Sequence, residues 1–156
     1  LEDFLINKKL VIGICNGFQV LVQMGLLPKK DFASALSFNK SGRFINKWVE
    51  VKVNSKKHSP WLSEFKKEKF YLPIRHAEGC FISSKTVADK HIALTYTDNP
   101  NGSKQDIAGL VDETGLVFGL MPHPEAAYEG FQIPFQDQTP YAKDFFKNAY
   151  NYLRSQ

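Results

Sequence analysis

The feature that most constrains this chain is a short apolar, β-branched run, Lys8 to Ile14 (KKLVIGI), that passes without a linker into a helix-spaced segment, Asn16 to Met24. The run predicts a buried strand. The next segment carries Phe18, Val20, Leu21 and Met24 at helical spacing, and Gly25 closes it as a C-cap. A strand that feeds straight into a helix is the building unit of an α/β fold. The join reads Gly13-Ile14-Cys15-Asn16-Gly17, the G-x-(Ser/Cys)-x-G form of a turn that presents a nucleophile. So tight a turn calls for small residues on both sides of the cysteine. It lifts the side chain clear of the sheet and aims a helix N-terminus at the sulfur, which favours thiolate. The Asn16 N–H is then free to donate to an oxyanion. The same five residues also fit a buried structural cysteine whose glycines merely permit a turn. The strand before it, the helix after it and a suitable base elsewhere favour the nucleophile.

A cysteine nucleophile needs a base, usually a histidine oriented by a third group. Of the four histidines, His58 lies in a Lys/Ser-rich turn and His91 follows a lysine at a strand start, so both read as ordinary surface residues. His123 is bracketed by Pro122 and Pro124, at the end of the apolar run Leu116 to Met121. Pro124 biases His123 toward an extended backbone, in which residues two apart share a face, so Glu125 can hold the imidazole. The end of an apolar strand is also where α/β proteins gather their chemistry. His76-Ala77-Glu78 repeats the His-x-Glu spacing without the proline bracket, and His76 is read as lining the pocket.

The remainder reads as mixed strands: Arg43 to Asn54, Phe70 to Ser83, His91 to Thr97, Ile107 to Asp112 and Leu116 to Met121, divided by Asn/Gly/Pro turns. Leu1 to Asn7 reads as the end of a helix. Thr139 to Leu153 reads as a terminal amphipathic helix with an inward stripe of Tyr141, Phe145, Phe146, Ala149, Tyr152 and Leu153. The 156 residues suit a single domain, 1–156, with 43% hydrophobic and 23% charged residues. The net charge of +4 comes from scattered lysines, and the densest run, Phe65 to Lys69, is broken by Glu68, so a nucleic-acid partner is not expected. No apolar stretch has the length of a membrane span. Two cysteines, Cys15 and Cys80, do not make a disulfide framework, and a reducing, cytoplasmic setting is expected.

Four strings stand in one order: Gly13-Ile-Cys15-Asn-Gly17-Phe-Gln19, Pro73-Ile-Arg-His76-Ala-Glu78-Gly79, Asn99-Pro-Asn101-Gly102-Ser103 and Gly119-Leu-Met-Pro-His123-Pro-Glu125. Together they resemble the glutaminase part of phosphoribosylformylglycinamidine synthase, among the class I, triad-type glutamine amidotransferases. The resemblance implies a flavodoxin-like α/β fold with a mixed central sheet flanked by helices. It implies a Cys15/His123/Glu125 triad and a glutamyl-thioester at Cys15. It also implies that Gln19 contacts the substrate glutamine and that the His76 to Gly79 loop, with Glu78, lies along the same pocket. Ammonia would pass to a synthetase that amidinates formylglycinamide ribonucleotide. ATP and Mg²⁺ belong on that partner, so this domain is expected to hold no cofactor and no metal. Asn39-Lys-Ser41-Gly42-Arg43-Phe44 is a further family-like segment without an assigned role.

Ala126 stands where the family usually has arginine, and Ala77 and Cys80 replace the commoner glycine and basic residue. None of them touches the triad, and Cys80 reads as a small buried hydrophobe. Family members begin before Leu1, with the first strands of the sheet and a Gly-rich loop that supplies a second oxyanion N–H. The domain is therefore expected to lack its N-terminal strands. Two other readings stay open: another class I amidotransferase or triad cysteine hydrolase, and a non-catalytic domain that braces a partner. A large apolar patch beside Cys15, in place of an open pocket, would favour the last.

Overall fold

The computed structural model describes residues 2–30, 32–54 and 59–156. His58 lies outside the described residues. A short helix α1 (Glu2–Ile6) leads into β1 (Val11–Ile14), which runs into α2 (Asn16–Gln23) through Cys15 alone. Then follow β2 (Ser34–Phe38), β3 (Ile45–Val53), β4 (Lys69–His76), β5 (Glu78–Ser83), β6 (Ile92–Tyr96), β7 (Ile107–Val111), β8 (Val117–Leu120) and α3 (Lys143–Arg154). A six-stranded sheet has the order β1-β8-β7-β6-β3-β4, and β2 pairs with β5 in a separate ribbon. Among the described residues, only the β1–β8 pair is parallel. The fold is the expected α/β class with a mixed sheet, and helices are few.

β1 was expected to be fully buried, yet only its Gly13 is; Val11, Ile12 and Ile14 are half-covered. The reason is position, since β1 is an edge strand with β8 on one side. The stretch 70–83 is a strand, a corner and a second strand. The chain bends at Ala77, so that β4 closes the main sheet while β5 leaves it for the ribbon.

Alternate residues of β8 enter two different cores, as the pleat requires. Val117 joins Phe18, Leu21 and Val22 of α2, together with Ile107, Leu110 and Phe81. Phe118 and Leu120 join Phe145 and Ala149 of α3, with Val49, Val51 and Leu72. The inward stripe of α2 is therefore Phe18, Leu21 and Val22, while Val20 and Met24 face solvent. α2 ends as predicted: Gly25 has φ 71°, and the Leu26 N–H reaches back to the Leu21 carbonyl, the paired pattern of a glycine-capped helix. α3 starts at Lys143, four residues later than its hydrophobic pattern suggests, and Leu153 is exposed. Asn148 takes a buried place instead and donates to the Trp61 carbonyl at 3.1 Å, while Trp61 Nε1 donates to the Leu116 carbonyl at 2.8 Å. Those two bonds seat α3 at the entry to β8. Burial of Phe145 adds on the order of 1.5–3 kcal/mol there.

His91 is also a correction. It is buried, with Nδ1 3.1 Å from the Val111 carbonyl and Nε2 3.1 Å from Glu113 Oε1. Its position beside a lysine hid the fact that β6 turns this ring onto β7. Of the Phe65 to Lys69 run, Lys66 to Lys69 are exposed as read, while Phe65 turns into the core; Cys80 is buried, with its thiol pushed up by that burial. Among the described residues, no helix is long and apolar enough to cross a membrane.

Candidate active site

β1 and β8 are paired in parallel with Ile14 opposite Leu120, so their C-terminal ends coincide. Cys15 follows one end directly and His123 follows the other after two residues. Cys15 itself has φ 51° and ψ −104°, a conformation that L-residues avoid and that persists only where the surroundings impose it. Two observations show the imposition. The Cys15 N–H donates to the Leu120 carbonyl at 2.8 Å, and its carbonyl accepts the first helical bond from Gln19 N. Gly13 is required, because any Cβ there would run into Leu21 and the Gly17 carbonyl. Gly17 is different: a Cβ there meets open space, so only the glycine before the cysteine answers the steric demand read from the motif. Asn16 opens α2, so its N–H has no intrahelical acceptor and is available beside the sulfur.

The sheet is curled enough that the end of β4 folds over this junction. The His123 N–H donates to the Pro73 carbonyl at 2.9 Å, and Cys15 Sγ lies 3.9 Å from the Arg75 carbonyl oxygen. His123 Nδ1 and Glu125 Oε1 are 2.6 Å apart. The expected pair forms, though by a different route. His123 has φ −105° and ψ 86°, but Pro124–Ala127 is a 3₁₀ turn, and that turn brings the carboxylate back under the ring.

Cys15 first and Glu125 second raise the His123 pKa to about 9, against some desolvation. Burial opposes ionisation of Glu125, but its bond to His123 and the other nearby charges win, and its pKa is lowered. Glu125 is thus ionised at neutral pH, and the raised pKa of His123 favours the imidazolium there. His123 Nε2 makes no hydrogen bond of good geometry in the resting chain, a looseness common in sites without substrate.

The other predicted binding residues divide. Gln19 Nε2 donates to the Glu78 carbonyl at 2.6 Å, so Glu78 enters through its backbone while its side chain is exposed. Asn16, Gln19 and Glu78 line a cleft of about 450 Å³ together with Ser34 and Leu36, while Cys15 and His123 lie outside its lining. His76 is buried and does not pair with Glu78 despite the matching spacing; its Nδ1 lies 3.0 Å from Asn39 Oδ1. Burial, with the charge of His123, lowers its pKa to about 4, so it is neutral.

Asn39 is the residue whose part the sequence did not reveal. Its side chain also donates to the carbonyls of Arg43 and His76, at 2.9 and 2.8 Å, and accepts from the Gly79 N–H. Asn101 donates to the Gly79 carbonyl at 2.8 Å, and Ser103 Oγ bonds Asn101 at 2.8 Å and takes the Phe81 N–H at 3.0 Å. The corner between β4 and β5 is thereby fixed by the two asparagine-rich segments singled out in the sequence. Tyr96, buried with its hydroxyl near Asn101 and within electrostatic range of Cys15, carried no sequence signal beyond its place in an apolar strand. Among the described residues, no group of three or more His, Cys, Asp or Glu could hold a metal ion.

Comparison with known proteins agrees with this architecture. The family model described as a CobB/CobQ-like glutamine amidotransferase domain matches residues 1–153. A relative from Thermotoga maritima, phosphoribosylformylglycinamidine synthase subunit PurQ, is 43% identical over 94% of this chain and 62% of its own length. The protein of the same name from Helicobacter hepaticus is 42% identical over 83% of this chain and 58% of its own length. The solved structure of PurLQS from Thermotoga maritima superimposes with a TM-score of 0.81 at 38% identity, covering 97% of this chain and 66% of that one. The chain thus spans about three fifths of the length of the curated relatives it matches. With its fold, its strained cysteine and its sequence in agreement, the chain belongs to the family of CobB/CobQ-like glutamine amidotransferase domains.

Proposed function

We propose that this chain is a glutaminase, one amidotransferase domain spanning residues 1–156, that hydrolyses the side-chain amide of glutamine and supplies ammonia to a synthetase. The observation that carries the reading is the meeting of a strained Cys15 and a joined His123–Glu125 pair at the ends of one parallel strand pair. Cys15 thiolate adds to the carboxamide carbon, and the Asn16 N–H donates to the oxyanion. His123 Nε2–H, with Glu125 on Nδ1, then protonates the nitrogen, so that the C–N bond breaks and ammonia leaves a glutamyl-thioester. The neutral imidazole takes a proton from water as hydroxide adds to the thioester. Glutamate departs and Cys15 is restored.

Gln19 and Glu78 are assigned to the substrate pocket because they join Asn16 along the open cleft. The names of the relatives, subunits of phosphoribosylformylglycinamidine synthase, support a partner synthetase; we assign to it the conversion of formylglycinamide ribonucleotide to formylglycinamidine ribonucleotide in purine biosynthesis, and place the reaction in the cytoplasm. ATP and Mg²⁺ are assigned to that partner, with no cofactor and no metal in this domain.

The test is labelling with 6-diazo-5-oxo-norleucine, a glutamine mimic that alkylates an activated thiolate. Mass spectrometry should find one adduct on Cys15, none on Cys80, and protection by excess glutamine. An unlabelled Cys15, with and without a synthetase present, would sink the assignment.

A further inference from the structure

Among the described residues, the buried side-chain polar atoms without a hydrogen-bond partner are His76 Nε2, Tyr96 Oη and His123 Nε2. All three belong to the surroundings of Cys15. Each has a polar neighbour at hand: Cys15 acts on His123, and the Asn101 amide lies by the Tyr96 hydroxyl. For His76, which is 4% exposed, the polar neighbour is His123, which acts on the ring electrostatically and gives Nε2 no hydrogen bond. A buried acceptor left without a donor is a standing penalty of roughly 1–3 kcal/mol, which points to a donor that arrives with a ligand.

The state of that nitrogen is fixed from the other side of the ring. The Asn39 amide nitrogen is occupied by two carbonyls, of Arg43 and His76, so its oxygen is the atom that faces Nδ1. The ring proton therefore sits on Nδ1, and Nε2 presents a bare lone pair. Burial keeps the ring from taking a second proton at neutral pH. The ring also packs against Gly79, where any Cβ would overlap it. Along the chain, the position adjoins the residue that meets Cys15. His76 follows Arg75, whose carbonyl is 3.9 Å from Cys15 Sγ, and its ring is electrostatically coupled to His123.

We propose that His76 Nε2 accepts one N–H of the carboxamide under attack by Cys15, and that Asn39 is the positioning residue that fixes the tautomer. The proposal rests on the glutaminase reading above. An amide nitrogen with one N–H held by His76 must turn its developing lone pair elsewhere, and His123 Nε2–H is the acid waiting for it. A bare acceptor also discriminates: it attracts an amide, receives nothing from an ester, and repels the carboxylate of the product.

The experiment compares glutamine with glutamate γ-methyl ester, which has the same acyl group and no N–H, as substrates of the full chain. In His76→Phe, kcat/KM for glutamine should fall ten- to a hundredfold while ester cleavage changes at most a few-fold. His76→Gln, whose side-chain oxygen can reach the Nε2 position, should recover part of the amide rate, and Asn39→Ala should narrow the amide-to-ester ratio. An equal fall on both substrates would make His76 structural and overturn the proposal. Should His76→Phe fail to fold, ¹⁵N NMR of the wild-type ring decides: a bare Nε2 supports the proposal and a protonated one ends it. A wild-type chain that cleaves neither substrate overturns the glutaminase reading itself.

Discussion

The Cys15 N–H donates to the Leu120 carbonyl at 2.8 Å, one step beyond the last register pair of β1 and β8. That single bond extends the parallel ladder through the cysteine and holds its φ at 51°. Cys15 and His123 then leave the sheet from neighbouring strand ends, and their separation depends on strand register rather than on loop flexibility.

Substitution of Cys15 separates chemistry from strain. Cys15→Ala should abolish glutamine hydrolysis, a loss on the order of 10⁴-fold or more, with an unchanged circular dichroism spectrum. Cys15→Gly should be equally inactive, yet more stable than Cys15→Ala by about 1–3 kcal/mol in urea denaturation, since glycine accepts this backbone without strain. Near wild-type turnover by Cys15→Ala would refute the nucleophile.

The two glycines of the turn should behave oppositely. Gly13→Ala forces a Cβ into Leu21 and the Gly17 backbone and should destabilise by about 1–3 kcal/mol. Gly17→Ala enters open space within α2, where alanine is the better helix former, and should be neutral or stabilising by up to about 1 kcal/mol. Thermal melts of the two variants make the comparison.

The pH profile should report His123. Its pKa is raised to about 9, chiefly by Cys15 and then by Glu125, so the imidazolium that protonates the leaving nitrogen is present at neutral pH and lost above that value. Glutamine kcat/KM should therefore decline on an alkaline limb near pH 9. Glu125→Gln removes one of the raising influences and should move that limb to lower pH, with a reduced plateau. A limb that stays in place in Glu125→Gln would dissociate the carboxylate from the histidine.

His76 makes a separate contribution to acid sensitivity. The folded chain holds it neutral down to about pH 4, while the unfolded chain protonates it near 6.5. The unfolded state thus binds the extra proton first, and stability falls as pH drops from 6.5 toward 4, by up to about 1.4 kcal/mol for each pH unit. His123, raised rather than lowered, stays protonated in the folded chain across that window and loses its stabilising effect only as pH rises toward 9. Urea denaturation of His76→Gln at several pH values should show a shallower decline than the wild type, whatever its absolute stability.

Much of this protein could be read from local pattern. The apolar run, the turn glycines and the helical spacing around Cys15 are short-range signals, and they located β1, the turn and α2 together. Pro122 and Pro124 marked the histidine segment, and the contact of His123 with Glu125 followed from a separation of two residues. Such features depend on backbone sterics within a few residues, and sequence carries those directly. The curl of the sheet was decided elsewhere. It arises from strand pairings between distant segments, and it alone sets Arg75 beside Cys15 and Pro73 against His123. The burial of His91, the exposure of Val20 and Met24, and the hub made by Asn39 belong to the same class, because each depends on which partner surface arrives from far along the chain. The residues proposed to do the chemistry were therefore visible in the sequence. The residues that fix their orientation and protonation became visible only when long-range packing brought neutral His76 and its asparagine to the same corner.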